Sequence, residues 1–239
     1  MTDPRKRLGL ILPSSNTTVE PDFARVLPPN VSLHAHRIWV VDVTHDGLEA
    51  MNTEAEQAAR YVGTAAVDTV AYACTSGSFI GGPGYDQSLL ARISLAANGV
   101  PAVGTSPAMV EGLRAVGVRR VSVVTPYTDA INEGLTTFLS AHGFEVLSMA
   151  GQQIVPNLEI GAQTPDAIVA FAKANLDPRA DGCFLSCTNW RAMEVAQRLE
   201  DETGLPVVTS NQATVWAAFR ALGIAPAIDG YGRLLRMAD

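Results

Sequence analysis

The sequence predicts an α/β protein made of two similar parallel-sheet halves, related by a pseudo-two-fold axis, with a cleft between them. Three observations predict this. Short β-branched runs alternate with longer amphipathic segments. A block of the first half recurs in the second, and the most polar clusters stand directly after apolar runs.

The runs Leu8–Leu12, Ser32–Val40, Thr69–Ala73, Ala102–Gly104, Arg120–Thr125, Glu145–Ala150, Cys183–Ser186 and Val207–Thr209 read as eight strands. Most are apolar throughout rather than alternating, as parallel strands covered on both faces are. The helices between them carry start and stop signals. Thr53 with Glu56 reads as a capping box. Ser106-Pro107 and Thr164-Pro165 each set a cap residue before a proline at the first helical position. Gly143, Gly204 and Gly223 stand where helices should end.

The repeat has three parts in one order. A strand ends in a cysteine at Tyr72-Ala73-Cys74-Thr75 and again at Leu185-Ser186-Cys187-Thr188. Gly99-Val100-Pro101-Ala102-Val103 returns as Gly204-Leu205-Pro206-Val207-Val208. The following helix ends in Arg114-Ala115-Val116-Gly117-Val118 and then in Arg220-Ala221-Leu222-Gly223-Ile224. Duplication explains all three. Residues 1–117 are expected to form the first half and 118–210 the second, with the segment from about 211 to 239 able to pack back onto the first.

Composition narrows the classes of function. The chain has 239 residues, a net charge of −7 and no stripe of Lys and Arg, which argues against nucleic-acid and anionic-membrane partners. The apolar run after the polar start, Leu8 to Pro13, is too short for a signal-peptide core or a membrane span. Three cysteines without paired spacing argue against a disulfide framework and for a reducing, cytoplasmic setting. The histidines His34, His36, His45 and His142 do not share zinc spacing with the cysteines, and His34 and His36 read as surface residues of one strand face. Gly77–Gly84 lacks the phosphate-binding glycine spacings and reads as a flexible loop. No Gly-x-Ser-x-Gly elbow is present.

Ligands in parallel α/β sheets bind beyond the carboxyl ends of the strands. Three polar clusters stand there: Pro13-Ser14-Ser15-Asn16, Cys74-Thr75-Ser76-Gly77 and Cys187-Thr188-Asn189. The pseudo-two-fold points Cys74 and Cys187 at each other across one cleft. Each cysteine precedes a predicted helix, whose first amides should lower the thiol pKa from about 8.5. Cys183, inside an apolar run, reads as a core residue. Asn16 suits either a helix cap or a donor to a carboxylate. Tyr127 stands just past a strand, where its hydroxyl reaches the cleft or covers a core edge. Asn157 suits a turn or a ligand role equally.

The turn Pro13-Ser14-Ser15-Asn16-Thr17-Thr18-Val19-Glu20, the strand end Tyr72-Ala73-Cys74, Val124-Thr125-Pro126-Tyr127 and the closing Gly230-Tyr231-Gly232-Arg233-Leu234-Leu235 together resemble maleate cis–trans isomerases. These belong to the Asp/Glu racemase superfamily, with arylmalonate decarboxylases as relatives. The resemblance covers nearly the whole chain. It implies two flavodoxin/Rossmann-like halves, an active site between them, no cofactor or metal, and a homodimer. It implies Cys74 as nucleophile, Cys187 as acid/base partner, and Asn16, Tyr127 and Asn157 as carboxylate ligands. Thr75 and Ser76 depart from the apolar pair usual in the isomerases and match the pair with which the decarboxylases hold a carboxylate or enediolate. Those decarboxylases carry glycine where Cys74 stands.

The function expected is cofactor-independent isomerisation of a small unsaturated dicarboxylate by cysteine addition and elimination. Asn16, Thr75, Ser76, Tyr127, Asn157 and Thr188 would bind the substrate. The alternative is a racemase or arylmalonate-type decarboxylase working through an enediolate. A dicarboxylate-binding protein without catalysis stands third.

Overall fold

The computed structural model describes residues 5–237. All eight predicted strands are present: β1 (Lys6–Pro13), β2 (Val31–Ile38), β3 (Thr69–Tyr72), β4 (Ala102–Gly104), β5 (Arg120–Thr125), β6 (Glu145–Gly151), β7 (Gly182–Leu185) and β8 (Val207–Thr209). They form two four-stranded sheets, β2-β1-β3-β4 and β6-β5-β7-β8, parallel throughout. The same strand order in both sheets is the structural counterpart of the sequence repeat. Each order reverses between its two central strands, which opens a crevice at their carboxyl ends. The central strands are β1 and β3 in one sheet and β5 and β7 in the other.

The sheets are joined by helices as well as by the cleft. The helix Thr105–Ala115 follows β4, the helix Ser210–Ala221 follows β8, and the two pack against each other as the most extensive helix pair among the described residues. Gly112 permits the approach: a Cβ there would meet Leu234 Cδ2 at 2.9 Å and Ala213 Cβ at 3.5 Å. Val215, Ala218, Phe219, Leu222 and Leu235 share a buried cluster with Leu8, Leu10 and Leu12 of β1 and with Phe23. Fully burying a side chain such as Phe23 or Leu10 contributes about 1.5–3 kcal/mol, so the helix Ser210–Ala221 and Leu235 are anchored on the first sheet by several such contacts.

Some predicted boundaries shift. Thr53 closes the helix His45–Thr53, its hydroxyl donating back to the Ala50 carbonyl at 2.6 Å, and the next helix starts on Glu54 without a side-chain cap. The reciprocal capping box belongs to Thr209 and Gln212. Ser106 lies within the first turn of a helix capped by Gly104, so Pro107 occupies the third position. Thr164 does cap its helix, accepting from the Ala167 amide at 3.3 Å ahead of Pro165. Gly143, Gly204 and Gly223 end their helices with φ between +69° and +88°, the left-handed conformation that favours glycine. The Gly77–Gly84 stretch begins in a short helix, Thr75–Phe79, rather than wholly in a loop. His34 and His36 are half-buried, His36 stacked on Tyr61 with ring centroids 5.3 Å apart.

Candidate active site

Four residues stand just beyond the four central strands: Asn16 after β1, Cys74 after β3, Tyr127 after β5 and Cys187 after β7. They line one narrow cavity, only about 10 Å³ of which is open to a water-sized sphere, together with Thr75, Ser76, Asn157 and Thr188. All eight residues singled out from the sequence are therefore brought together. Pro13, Val40, Val43 and Leu48 complete the lining and supply its apolar wall. No charged side chain is among these lining residues, so a bound carboxylate would meet neutral donors only.

Asn16 takes both of the parts its sequence context allowed. Its Oδ1 accepts from the amides of Thr18 (2.9 Å) and Val19 (3.0 Å), capping the helix Val19–Val26. Those two donors fix the orientation of the amide, so Nδ2 faces the other half and donates to Thr188 Oγ1 at 3.1 Å. A primary amide carries two N–H donors. The second remains for a ligand. Asn157 is held similarly: Nδ2 donates to Ser15 Oγ at 2.8 Å, and its carbonyl accepts from Asn189 Nδ2 at 2.6 Å.

Cys74 has ordinary extended backbone, φ −143° and ψ 109°, and its Sγ accepts from the Gly77 amide at 3.4 Å. Ser76 Oγ lies 4.0 Å from the sulfur. Gly77 cannot be larger: a Cβ would meet Met51 Cε at 2.6 Å, and Cys74 Sγ and Tyr72 Oη at 3.0 Å each. Asn52 braces this turn, donating to the Gly77 carbonyl at 2.8 Å while accepting from the Tyr72 hydroxyl.

Cys187 differs from its counterpart. Its φ is +144°, a conformation that side-chain-bearing residues rarely adopt, and such strain costs about 1–3 kcal/mol and gathers at functional sites. No helix follows it directly, since residues 188–192 form turns and the next α-helix begins at Ala196. Its thiol instead meets turn amides, Asn189 N at 3.4 Å among them, and the Tyr127 hydroxyl. Its own amide donates to Ser210 Oγ at 3.0 Å. Thr75, whose hydroxyl proton was expected to face the substrate, also gives it to Ser210 Oγ, at 2.9 Å.

The thiols are not activated as the helix argument predicted. Burial pushes Cys74 up to about 12, against the opposing pull of the Gly77 amide. Burial likewise pushes Cys187 up to about 11, with Tyr127, Asn189 and Trp190 pulling it down. A five-residue helix cannot offset the loss of hydration around a fully enclosed sulfur. Burial also drives Tyr127 well above the ordinary phenol range. Cys183 lies in β7 within the core, as predicted, and is pushed up to about 12 by burial alone.

A strap closes the cavity. After β2 the chain crosses to the second half, where Val43 N donates to Val155 O at 2.9 Å and Asn157 N to Val41 O at 3.0 Å. Asp42 and Pro156 form an isolated antiparallel bridge between these two segments. Val40, Val43 and Leu48 turn inward on the cavity, while Trp39 and Val41 face solvent at 72% and 49% exposure. Sequence reading missed this apolar wall because nothing within residues 39–48 signals which partner they cover. It missed Ser210 for the same reason.

Two thiols from equivalent strand ends, enclosed with amides and hydroxyls, define a two-cysteine α/β enzyme of duplicated design. The sequence model of the arylmalonate decarboxylase family matches residues 8–235, and the chain belongs to that family. It is 30% identical to the maleate isomerase of Geobacillus stearothermophilus, over 96% of either chain. It is 31% identical to that of Nocardia farcinica, over 97% of this chain and 96% of the relative. The arylmalonate decarboxylase of Bordetella bronchiseptica is 33% identical over 95% of both. Among solved structures, a cysteine-to-alanine variant of the Pseudomonas putida S16 maleate isomerase with maleate superposes with TM-score 0.92 at 27% identity, covering 97% of each chain. A cysteine-to-serine variant of the Nocardia farcinica enzyme with a covalently bound succinylcysteine intermediate gives TM-score 0.92 at 30% identity, covering 98% of this chain and 99% of that one. Among the described residues no helix is long and apolar enough to cross a membrane.

Proposed function

We propose that this chain is a maleate isomerase, converting a small cis-dicarboxylate to its trans isomer by cysteine addition and elimination. The observation that carries the reading is the pair Cys74 and Cys187, one from each half, lining one cavity whose polar groups are neutral. The isomerase relatives and the succinylcysteine found in one of them support the same chemistry.

In this reaction the Cys74 sulfur bonds to one olefinic carbon, and Cys187 delivers a proton to the other. Cys74 reacts as its thiolate, its proton having left for solvent before the substrate closes the site, and delivery of the Cys187 proton leaves Cys187 as the thiolate that acts as base in the second half. The former double bond is now single and rotates. Cys187 then removes a proton from the second carbon, that electron pair restores the double bond, and the C–S bond breaks with its pair returning to Cys74. Burial raises both thiols, so each is a weak acid whose conjugate thiolate is a strong base toward a substrate carbon. Asn16, Asn157, Ser76 and Tyr127 donate to the carboxylates and the developing negative charge, while Thr75 and Thr188, whose hydroxyl protons go to Ser210 and the Ala73 carbonyl, hold the lining in place. The strap excludes water that would otherwise compete for the activated carbon. Three buried, unpaired cysteines suit a reducing compartment, and the reading includes a cytoplasmic location.

The test is purified protein with maleate, followed by fumarate absorbance. Cys74→Ala should lower turnover by about a thousandfold or more. Cys187→Ser should leave a succinyl adduct on Cys74 detectable by intact mass. Unchanged turnover in Cys74→Ala rules the mechanism out. The Thr75-Ser76 pair in the cavity favours a second reading, an enediolate racemase or decarboxylase. Deuterium incorporation next to the carboxylate of a saturated acid, without maleate turnover, would select it.

A further inference from the structure

The two cysteine-bearing strand ends meet on one atom outside the substrate-facing set. Ser210 Oγ accepts from the Cys187 amide at 3.0 Å and from Thr75 Oγ1 at 2.9 Å, which uses both of its lone pairs. Ser210 is fully buried and is the first residue of the helix Ser210–Ala221. That helix start is itself held by a reciprocal capping box. Thr209 Oγ1 accepts from Gln212 N at 3.2 Å, and Gln212 Oε1 accepts from Thr209 N at 3.0 Å. The next residue, Asn211, donates through Nδ2 to the Thr188 carbonyl at 3.0 Å and to buried Asp22 at 2.7 Å. The Cys187–Thr188 peptide is thus gripped at both ends by one helical turn, at the place where the backbone takes φ +144°. Cys74 needs no such grip, because its backbone is unstrained and the start of its own helix holds the sulfur.

We propose that Ser210 is a positioning residue of the reaction: its hydroxyl holds the Cys187 peptide in the strained conformation that aims the thiol at the substrate carbon, in register with the Cys74 loop. The proposal rests on Cys187 as the proton donor and acceptor. Ser210 itself touches neither substrate nor reacting atoms. Removing its hydroxyl leaves a buried N–H without a partner, and the loop relaxes to recover one.

The test uses the full chain with Ser210→Ala, the hydroxyl-preserving Ser210→Thr, and Thr75→Val, which removes only the second donor. In Ser210→Ala, kcat on maleate should fall about 10- to 100-fold with KM within about threefold, and the Cys74 adduct should accumulate under turnover. Without any substrate, iodoacetamide should label Cys187 about tenfold faster relative to Cys183, the core reference in β7. Ser210→Thr should restore most of both readouts, and Thr75→Val should leave Cys187 labelling near wild type. Wild-type kcat and labelling in Ser210→Ala would overturn the proposal, as would a parallel rise at Cys183 or a Ser210→Thr as impaired as the alanine variant. If the wild type fails to isomerise maleate, the functional reading falls, while the labelling comparison still decides the role of Ser210.

Discussion

Asn16 Nδ2 donates to Thr188 Oγ1 at 3.1 Å, joining the turn after β1 to the turn after β7 across the cleft. Thr188 Oγ1 passes its own proton to the Ala73 carbonyl at 3.2 Å, the residue before Cys74. One chain of side-chain bonds therefore ties three strand ends together, and it is oriented by the helix-capping contacts of Asn16 Oδ1.

That dual use separates binding from folding at residue 16. Asn16→Asp keeps the capping acceptor but loses the donor and sets a negative charge beside the substrate. It should melt within a few degrees of wild type while kcat/KM on maleate falls by about a hundredfold or more. Asn16→Ala should lose the same activity and also about 1–2 kcal/mol of stability, read by denaturant titration. Equal melting of the two variants would show that the cap is not the structural part of this side chain.

The enclosed thiols set the pH dependence. With Cys74 pushed up to about 12 and Cys187 to about 11, both are neutral at physiological pH in the free protein. Only the thiolate reacts, so alkylation of Cys74 should climb about tenfold per pH unit from roughly pH 7 to 10 without levelling. Mapping labelled peptides across that range measures it. A plateau near neutral pH would mean that the Gly77 amide outweighs burial.

Asp22 carries a separate signature. Burial raises its pKa from 3.8 to about 6, against the pull of Asn211 and Arg25. A group whose folded pKa is raised contributes stability that is full below the unfolded value and lost as pH rises through the folded one. For Asp22 that window runs from pH 3.8 to about 6. Asp22→Asn should therefore gain on wild type as pH rises from 4 to 8, by up to about 3 kcal/mol. Urea midpoints of both proteins at the two pH values give the difference directly, with the other carboxylates common to both. A gap that does not change with pH would place the carboxylate in water.

Much of this architecture is written in local patterns. The apolar runs from Leu8 and Val121, covered on both faces, mark parallel strands without reference to anything distant. The recurrence around Cys74 and Cys187 reports the duplication, and ligand sites in such sheets follow strand ends, so Asn16, Cys74, Tyr127 and Cys187 were legible as candidates. Thr164 and the three helix-ending glycines were legible because their conformations are local. Thr53 and Ser106 were misplaced by one or two residues because their hydroxyls found other partners: Thr53 the Ala50 carbonyl in its own helix, Ser106 the Thr75 carbonyl and Ser78 from a distant turn.

Only the tertiary structure decided the rest. The ionisation of Cys74 and Cys187 depends on how completely water is removed, and that is set by Val40, Val43 and Leu48 arriving from a distant strap. The amide of Cys187, where φ is +144°, finds its partner in Ser210, twenty-three residues away along the chain. A run of residues can specify its own periodicity and caps, because those interactions close within a few positions. Desolvation and strain are imposed by groups remote in sequence, and they exist only once both halves have packed.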